Sequence, residues 1–156
     1  MLDVESATHL RGVVSRIARR LNASATSEGL TPTQASVLGL IAARGPLGLA
    51  QLAELEGLNP TMLSRVVGAL TSADLIVRTP DPADLRALQV AATAEGSRMH
   101  ERIKSARARV VSDSAANLTD EQVQALMAAL PALDALAEQL AQPAGRGQPA
   151  RSAGRG

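Results

Sequence analysis

The sequence predicts a mainly α-helical fold that contains one short β-hairpin. Apolar residues recur every three or four positions over most of the 156 residues, which is typical of amphipathic helices. One stretch, RTPDPADLRA at 78–87, instead lies between two short apolar runs, LIV at 75–77 and LQVAA at 88–92, that suit strands. The length is sufficient for one domain, or for two small subdomains that share elements.

The first predicted helix runs from about Val4 to Ala25 and is amphipathic. Its apolar stripe consists of Leu10, Val13, Val14, Ile17 and Leu21. A second helix is expected over residues 32–44, because Thr31 is a good N-cap, Pro32 suits the first helical position, and Gly45-Pro46 ends the pattern.

Two shorter helices separated by a tight turn follow, and they suit a helix-turn-helix. The first spans about Leu49 to Glu56, and Gly57 supplies the left-handed residue that ends it. Asn59 caps the second, which begins at Pro60 and reaches about Ser72 or Ala73. Small or apolar residues are predicted to face inward and others outward; the inward ones are Ala53, Leu63 and Val66, and the outward ones are Thr61, Met62, Ser64, Arg65 and Gly68.

Two hydroxyls and an arginine near the start of an exposed helix are suitable for phosphate and base-edge contacts in a DNA major groove. The alternative for this segment alone is an ordinary helical hairpin with a polar surface.

The predicted hairpin after this segment has the features of the wing of a winged helix. Pro80 and Pro82 fix φ and stiffen its ascending side. Asp84 is expected to hydrogen-bond backbone in the turn and to pair with Arg86, holding the guanidinium at the tip, where a narrow minor groove would attract it. The alternative is an exposed hairpin with routine ion pairs.

Two further helices and a tail complete the prediction. Thr93 caps a long helix over about 94–116, with an inner stripe of Met99, Ile103, Ala106 and Val110. Thr119 and Gln122 form a capping box for the last helix, whose narrow apolar seam resembles a coiled coil; it consists of Val123, Leu126, Leu130, Leu133, Ala137 and Leu140. Residues 142–156 are rich in Gly, Pro and Arg and are expected to be disordered.

Composition excludes several classes of function. The chain has no aromatic residue and no cysteine, which removes stacking platforms, disulfides and thiol chemistry. With only His9 and His100 as histidines, we expect no metal site and no cofactor. The N-terminus carries acids without an apolar signal region, and no apolar run approaches the ~18 residues of a membrane span, so we expect a cytoplasmic protein.

The net charge of +1 is unevenly distributed. The last 15 residues contribute three arginines and no acid, which leaves −2 for the rest. A role in binding nucleic acid therefore requires that the arginines of the folded part cluster on one face. The tail either adds nonspecific attraction to DNA or only keeps the chain soluble.

Four segments together resemble the MarR family of bacterial transcriptional regulators. They are LTPTQASVLGLI, LAQLAELEGLNPTMLSRVVGAL, ADLIVRTPDPADLRALQVAATAEG and LTDEQVQAL, and the resemblance covers roughly residues 5–140, with DPADLRALQV its most specific part. It implies a winged helix-turn-helix over 31–93 and a dimerisation region from 1–30 and 94–141.

The resemblance also implies a set of DNA contacts. Ser64 and Arg65 contact DNA from the recognition helix, and Arg86 enters the minor groove, oriented by Asp84. The full set of DNA-binding residues that we predict is Asn59, Pro60, Thr61, Met62, Ser64 and Arg65 in the recognition helix, and Arg78, Asp84 and Arg86 in the wing. The chain departs from the family at Leu85, a wing position that is usually polar, which leaves one contact at the tip open.

We therefore predict a homodimeric regulator that binds double-stranded DNA, a repressor at a pseudo-palindromic operator with half-sites about 10 bp apart. A small-molecule effector between the winged helix and the dimerisation region would release it, with lining candidates His9, Arg11, Arg16 and Met99. The alternative is a sensor or partner-binding protein of the same fold with weak DNA binding and no small-molecule effector. No nucleophile–base set or phosphate-binding glycine loop is present in the sequence, so an enzyme is not predicted.

Overall fold

A computed structural model describes residues 1–141 of the chain. Within that range six helices and three strands follow one another: α1 (Val4–Ser27), α2 (Pro32–Arg44), β1 (Leu47–Gly48), α3 (Leu49–Glu56), α4 (Pro60–Ser72), β2 (Ile76–Pro80), β3 (Leu88–Ala92), α5 (Ala94–Ala115) and α6 (Asp120–Ala141). The elements form two compact units, which divide after Ala116 and are described separately. The expected disorder of residues 142–156 lies outside the described residues.

The helix boundaries follow the predicted capping residues. Thr31 and Gln34 form a capping box at the start of α2, with Gln34 N–H donating to Thr31 Oγ1 at 3.2 Å and Thr31 N–H donating to Gln34 Oε1 at 2.8 Å. The Thr93 hydroxyl accepts from Gly96 N–H at 3.0 Å and begins α5. Satisfied N–H groups at the first turn fix where a helix can start, and these predictions are therefore confirmed.

The sheet contains one strand that the sequence did not predict. Its order is β1-β3-β2, all antiparallel, with Leu47 opposite Val90 and Ile76 opposite Ala92. The two residues of β1 are too few to show the alternation of a strand in the sequence. They form a strand because they pair with the free edge of β3. The first hairpin strand also differs from the predicted run at 75–77, since β2 extends through Thr79 to Pro80, whose partner is Leu88.

The core of the first unit is aliphatic and is shared by the helices and the sheet. Its largest fully buried side chains are Leu38, Ile41, Leu52, Leu70, Val37, Val67 and Val90. Gly96 lets α5 lie close to Leu75, in the segment between α4 and β2, because a Cβ at position 96 would overlap the carbonyl oxygen of Leu75. The helix-turn-helix, α2, α5 and the sheet thus share one buried core, and α4 packs against both α2 and β2.

An exposed ion-pair network ties the end of α1 to α5. Arg102 Nε lies 3.1 Å from Glu28 Oε2, and Arg102 Nη2 lies 3.2 Å from Glu95 Oε1. Hydrogen bonds from Arg98 and then from Arg102 lower the pKa of the Glu95 carboxyl below its usual value. The same carboxylates raise the pKa of the Arg102 guanidinium, with Glu28 contributing most.

The second unit, which begins at Asn117, contains α6. The predicted capping box is present, with Gln122 N–H donating to Thr119 Oγ1 at 3.3 Å and Thr119 N–H donating to Gln122 Oε1 at 3.0 Å. Large apolar side chains remain exposed along this helix, namely Leu126, Met127, Leu130, Leu133, Leu136 and Leu140. None of the helices over residues 1–141 combines the length and apolar character needed to span a bilayer.

Candidate nucleic-acid interface

The turn between α3 and α4 is built as a helix-turn-helix requires. Gly57 ends α3 with φ of +64°, in the left-handed region where glycine is favoured over residues with a Cβ. Leu58 N–H donates to Ala53 O at 3.0 Å, which closes the end of α3. Asn59 then accepts from Met62 N–H at 2.8 Å through its side-chain oxygen and begins α4 at Pro60. Asn59 and Pro60 thus shape the start of α4.

The two faces of α4 differ sharply in exposure. Leu63, Val66, Val67 and Leu70 are buried against the core, which confirms the inward face predicted for this helix. Thr61, Met62, Ser64 and Arg65 are exposed. The helix therefore presents two hydroxyls, a thioether and a guanidinium along its first two turns, and their positions are set by the burial of the opposite side.

The wing is a regular hairpin that ends in a well-defined turn. Asp81 N–H donates to Ala87 O at 3.0 Å, which extends the pairing of β2 with β3 beyond Pro80. Ala87 N–H donates to Asp84 O at 2.9 Å, so residues 84–87 form a β-turn with Leu85 and Arg86 at its two corner positions.

Asp84 controls the tip through the backbone rather than through an ion pair. Its Oδ1 accepts from Arg86 N–H at 3.0 Å, as the predicted turn requires. The expected ion pair between the Asp84 carboxylate and the Arg86 guanidinium is not among the salt bridges of residues 1–141, which corrects that part of the prediction. Because the Asp84 carboxylate accepts from the backbone N–H of Arg86, it points toward the backbone of the turn. The exposed Arg86 guanidinium remains in solvent.

Recognition helix and wing meet at a small cleft. Ser64 of α4 and Arg78 of β2 line the same cavity of about 290 Å³. The remaining lining is mostly aliphatic and consists of Leu49, Ala50, Ala53, Pro60, Leu63 and Val67. Three predicted site residues, Pro60 and Ser64 of α4 and Arg78 of β2, are thus brought together.

The arginines of this surface are available to a ligand. Arg65, Arg78 and Arg86 are exposed, and none of them forms an ion pair within the described part of the chain. Exposed, unpaired guanidiniums on two neighbouring elements can form bidentate contacts with phosphate or guanine.

The four predicted effector residues are not brought together. His9 lines a shallow cleft on α1 with Leu10 and Val13, whereas Arg16 lines a different cleft with Arg19, Arg20 and Ala23. Met99 is partly buried in α5 with its sulfur 3.5 Å from Arg102 Nη2, and Arg11 is exposed on α1. Over residues 1–141 the chain also holds no cluster of three or more His, Asp or Glu side chains suited to a metal ion.

Comparison with known proteins matches the helix-turn-helix and the wing to one family. The model of the MarR family matches residues 30–88, which span α2 through the start of β3 and include the helix-turn-helix and the wing. The HTH-type transcriptional repressor MdtR of Bacillus subtilis (strain 168) is 25% identical over 114 residues, covering 73% of this chain and 74% of MdtR. Residues 30–88 of this chain thus match a MarR-family domain.

Solved structures share the fold of this chain. RV1404 from Mycobacterium tuberculosis is 28% identical, with a TM-score of 0.70 over 85% of this chain and 92% of that protein. A mutant of MepR from Staphylococcus aureus, solved bound to an oligodeoxyribonucleotide, has a TM-score of 0.63 at 18% identity, over 84% of this chain and 96% of MepR, and shows that the fold is shared. The matched segment carries the helix-turn-helix and wing of the DNA-binding transcriptional regulators of the MarR family, on a winged helix fold.

Proposed function

We propose that the protein is a homodimeric, cytoplasmic repressor that binds a pseudo-palindromic operator. The observation that carries this proposal is the surface formed by α4 and the hairpin: Arg65 and Arg86 are exposed and unpaired on two elements held by one buried core. A helix enters a major groove with its N-terminal residues toward the bases, and a stiff hairpin beside it reaches the adjacent minor groove.

The proposed roles of the site residues follow from their placement. Ser64 and Arg65 contact base edges and phosphates from α4, together with Thr61 and Met62. Arg86 enters the minor groove from the wing, Asp84 fixes its backbone, and Arg78 contacts phosphate beside Ser64. Asn59 and Pro60 set the start of the helix.

The proposal of a homodimer is supported by apolar side chains that the described chain leaves in solvent. Val14 and Ile17 of α1 are about half exposed, at 50% and 51%. Apolar stripes of this kind mark interaction surfaces. We assign residues 1–30 and 94–141 to dimerisation and 31–93 to DNA binding. A two-fold dimer would read two half-sites about 10 bp apart.

Release by a small-molecule effector stays a prediction. A ligand that changes the spacing of the two recognition helices needs a coupling of ~1–3 kcal/mol between its site and the DNA site. Among the lining candidates His9, Arg11, Arg16 and Met99, His9 and Arg16 line different clefts of α1. The competing candidate, a sensor of the same fold with weak DNA binding, is favoured if operator binding fails.

The proposal is tested by fluorescence anisotropy with the promoter fragment upstream of the protein's own coding sequence and a scrambled fragment of equal length. We expect strong preference for the promoter and affinity that falls steeply with salt. Arg65→Ala should weaken promoter binding by about 1–3 kcal/mol per contact. Arg109→Ala is the matched control, because Arg109 is an exposed arginine of α5 and lies outside both α4 and the wing. Equal affinity for both fragments would contradict the proposal and favour the sensor.

A further inference from the structure

The tip of the wing carries an apolar residue at its outermost point. Leu85 is 80% exposed, although its two neighbours are the charged residues Asp84 and Arg86. Corner positions of β-turns usually hold polar residues, Gly or Pro, which solvate well. The isobutyl group of Leu85 lies in solvent and is not part of the hydrophobic core formed by the described residues.

The backbone around Leu85 is fixed before any partner binds. Ala83 N–H donates to Asp81 Oδ1 at 2.8 Å, Arg86 N–H donates to Asp84 Oδ1 at 3.0 Å, and Ala87 N–H donates to Asp84 O at 2.9 Å. Prolines at 80 and 82 restrict φ on the same side. The side chain is therefore presented at a defined place with little ordering cost, as a contact residue requires.

The chemistry of Leu85 suits the floor and walls of a minor groove. Adenine–thymine pairs present only acceptors there, whereas guanine adds an N2 amino group that projects into the groove. Minor-groove binding proteins bring leucine and similar apolar side chains to the bases through this groove, where the side chains wedge between base steps. The two neighbouring side chains can therefore have different roles. Arg86 supplies electrostatic attraction, and Leu85 occupies the space that the guanine amino group would fill.

We infer that Leu85 is a specificity-determining residue that selects A·T pairs under the wing by apolar contact in the minor groove. This inference rests on the proposed DNA binding by α4 and the wing. Because Leu85 carries no charge, its contribution should not change the number of counterions released on binding. The contribution of Arg86, by contrast, should change that number.

The test begins with selection of binding sites from a random duplex library by the full-length protein, its Leu85→Ala variant and its Leu88→Ala variant. Leu88 is the matched control because it is also exposed, at 44%, and lies on β3 of the same hairpin below the tip. Base pairs under the wing are assigned as those that lose hydroxyl-radical protection in Arg86→Ala. We expect A·T pairs at these positions for the wild type and Leu88→Ala, and no preference for Leu85→Ala.

The second step changes the minor groove alone. In the selected duplex, adenines under the wing are replaced by 2,6-diaminopurine, which adds an amino group in the minor groove. We expect wild-type affinity to fall about tenfold, as for a typical mismatched position, and Leu85→Ala to change less than twofold. The salt slope of Leu85→Ala should equal that of the wild type, whereas Arg86→Ala should lower it.

The outcomes separate this inference from the proposed function. If wild type and Leu85→Ala select the same bases under the wing, or respond equally to diaminopurine, the role of Leu85 is refuted while specific DNA binding stands. If no sequence is enriched by the wild type, the proposed function fails and the inference fails with it.

Discussion

Replacement of Asp84 tests how the wing positions its arginine. In the structure the Asp84 carboxylate accepts from Arg86 N–H at 3.0 Å and forms no described ion pair with the guanidinium. Asp84→Ala removes this acceptor, whereas Asp84→Asn keeps an oxygen in the same place and removes only the charge. The two variants therefore separate backbone ordering from side-chain pairing.

The expected size of the effect follows from the hydrogen bond. One such bond contributes about 1 kcal/mol net. Two wings in a dimer lose about 2 kcal/mol, and since 1.4 kcal/mol corresponds to a tenfold change, Kd for operator DNA should rise about 30-fold in Asp84→Ala. Asp84→Asn should stay within about threefold of the wild type, or bind more tightly, because it removes a negative charge close to phosphate.

The assay is an anisotropy titration with a selected duplex at fixed salt, together with urea unfolding of each variant. Asp134→Asn is the charge control, because Asp134 is an exposed aspartate on α6. Asp84→Asn and Asp134→Asn should unfold within about 0.5 kcal/mol of the wild type, as exposed sites do. Asp84→Ala should lose no more than the value of the missing hydrogen bond, about 1 kcal/mol. A loss in Asp84→Asn as large as that in Asp84→Ala would show that the carboxylate charge is required, and would refute the backbone role.

Three further predictions concern packing, assembly and acid stability. Gly96→Ala should destabilise the protein by about 1–3 kcal/mol in urea unfolding, because the added Cβ would overlap Leu75 O. The control Gly68→Ala has open space at its Cβ and should be neutral or stabilise by up to about 1 kcal/mol. A urea midpoint for Gly96→Ala at or above that of the wild type would contradict the described packing of α5. Ile17→Glu should raise the dimer dissociation constant at least tenfold in sedimentation, whereas the control Ser15→Glu should leave it unchanged. An unchanged dissociation constant for Ile17→Glu would show that this face of α1 is not part of the dimer interface. Because the folded state lowers the pKa of Glu95, its contribution to stability is complete above the ordinary pKa of 4.5 and is lost as pH falls through the folded-state pKa. Glu95→Gln should therefore weaken the loss of unfolding free energy at acid pH. The same acid dependence in the variant and the wild type would show that Glu95 does not contribute.

Local signals made most of the first unit predictable. The starts of α2, α4 and α5 were correct because Thr31, Asn59 and Thr93 each satisfy an N–H of the first turn. The end of α3 was correct because Gly57 adopts a positive φ. These are short-range interactions, and the residues that form them are visible in the sequence.

Features that depend on tertiary partners were not predictable in the same way. The strand β1 exists only through its pairing with β3, and two residues carry no periodicity. The turn at Asp84 was predicted, but the choice between its backbone and guanidinium partners depends on a geometry that spacing does not define. The effector candidates were grouped by helix, and helices alone do not determine which clefts their side chains line.

The most direct test of the central claim is a hydroxyl-radical footprint of the full-length protein on a selected duplex. The account predicts two protected half-sites, related by two-fold symmetry and centred about 10 bp apart, each with a minor-groove segment that loses protection in Arg86→Ala. A single protected segment, or uniform protection along the duplex, would contradict the account of a symmetric dimer that reads DNA with α4 and the wing.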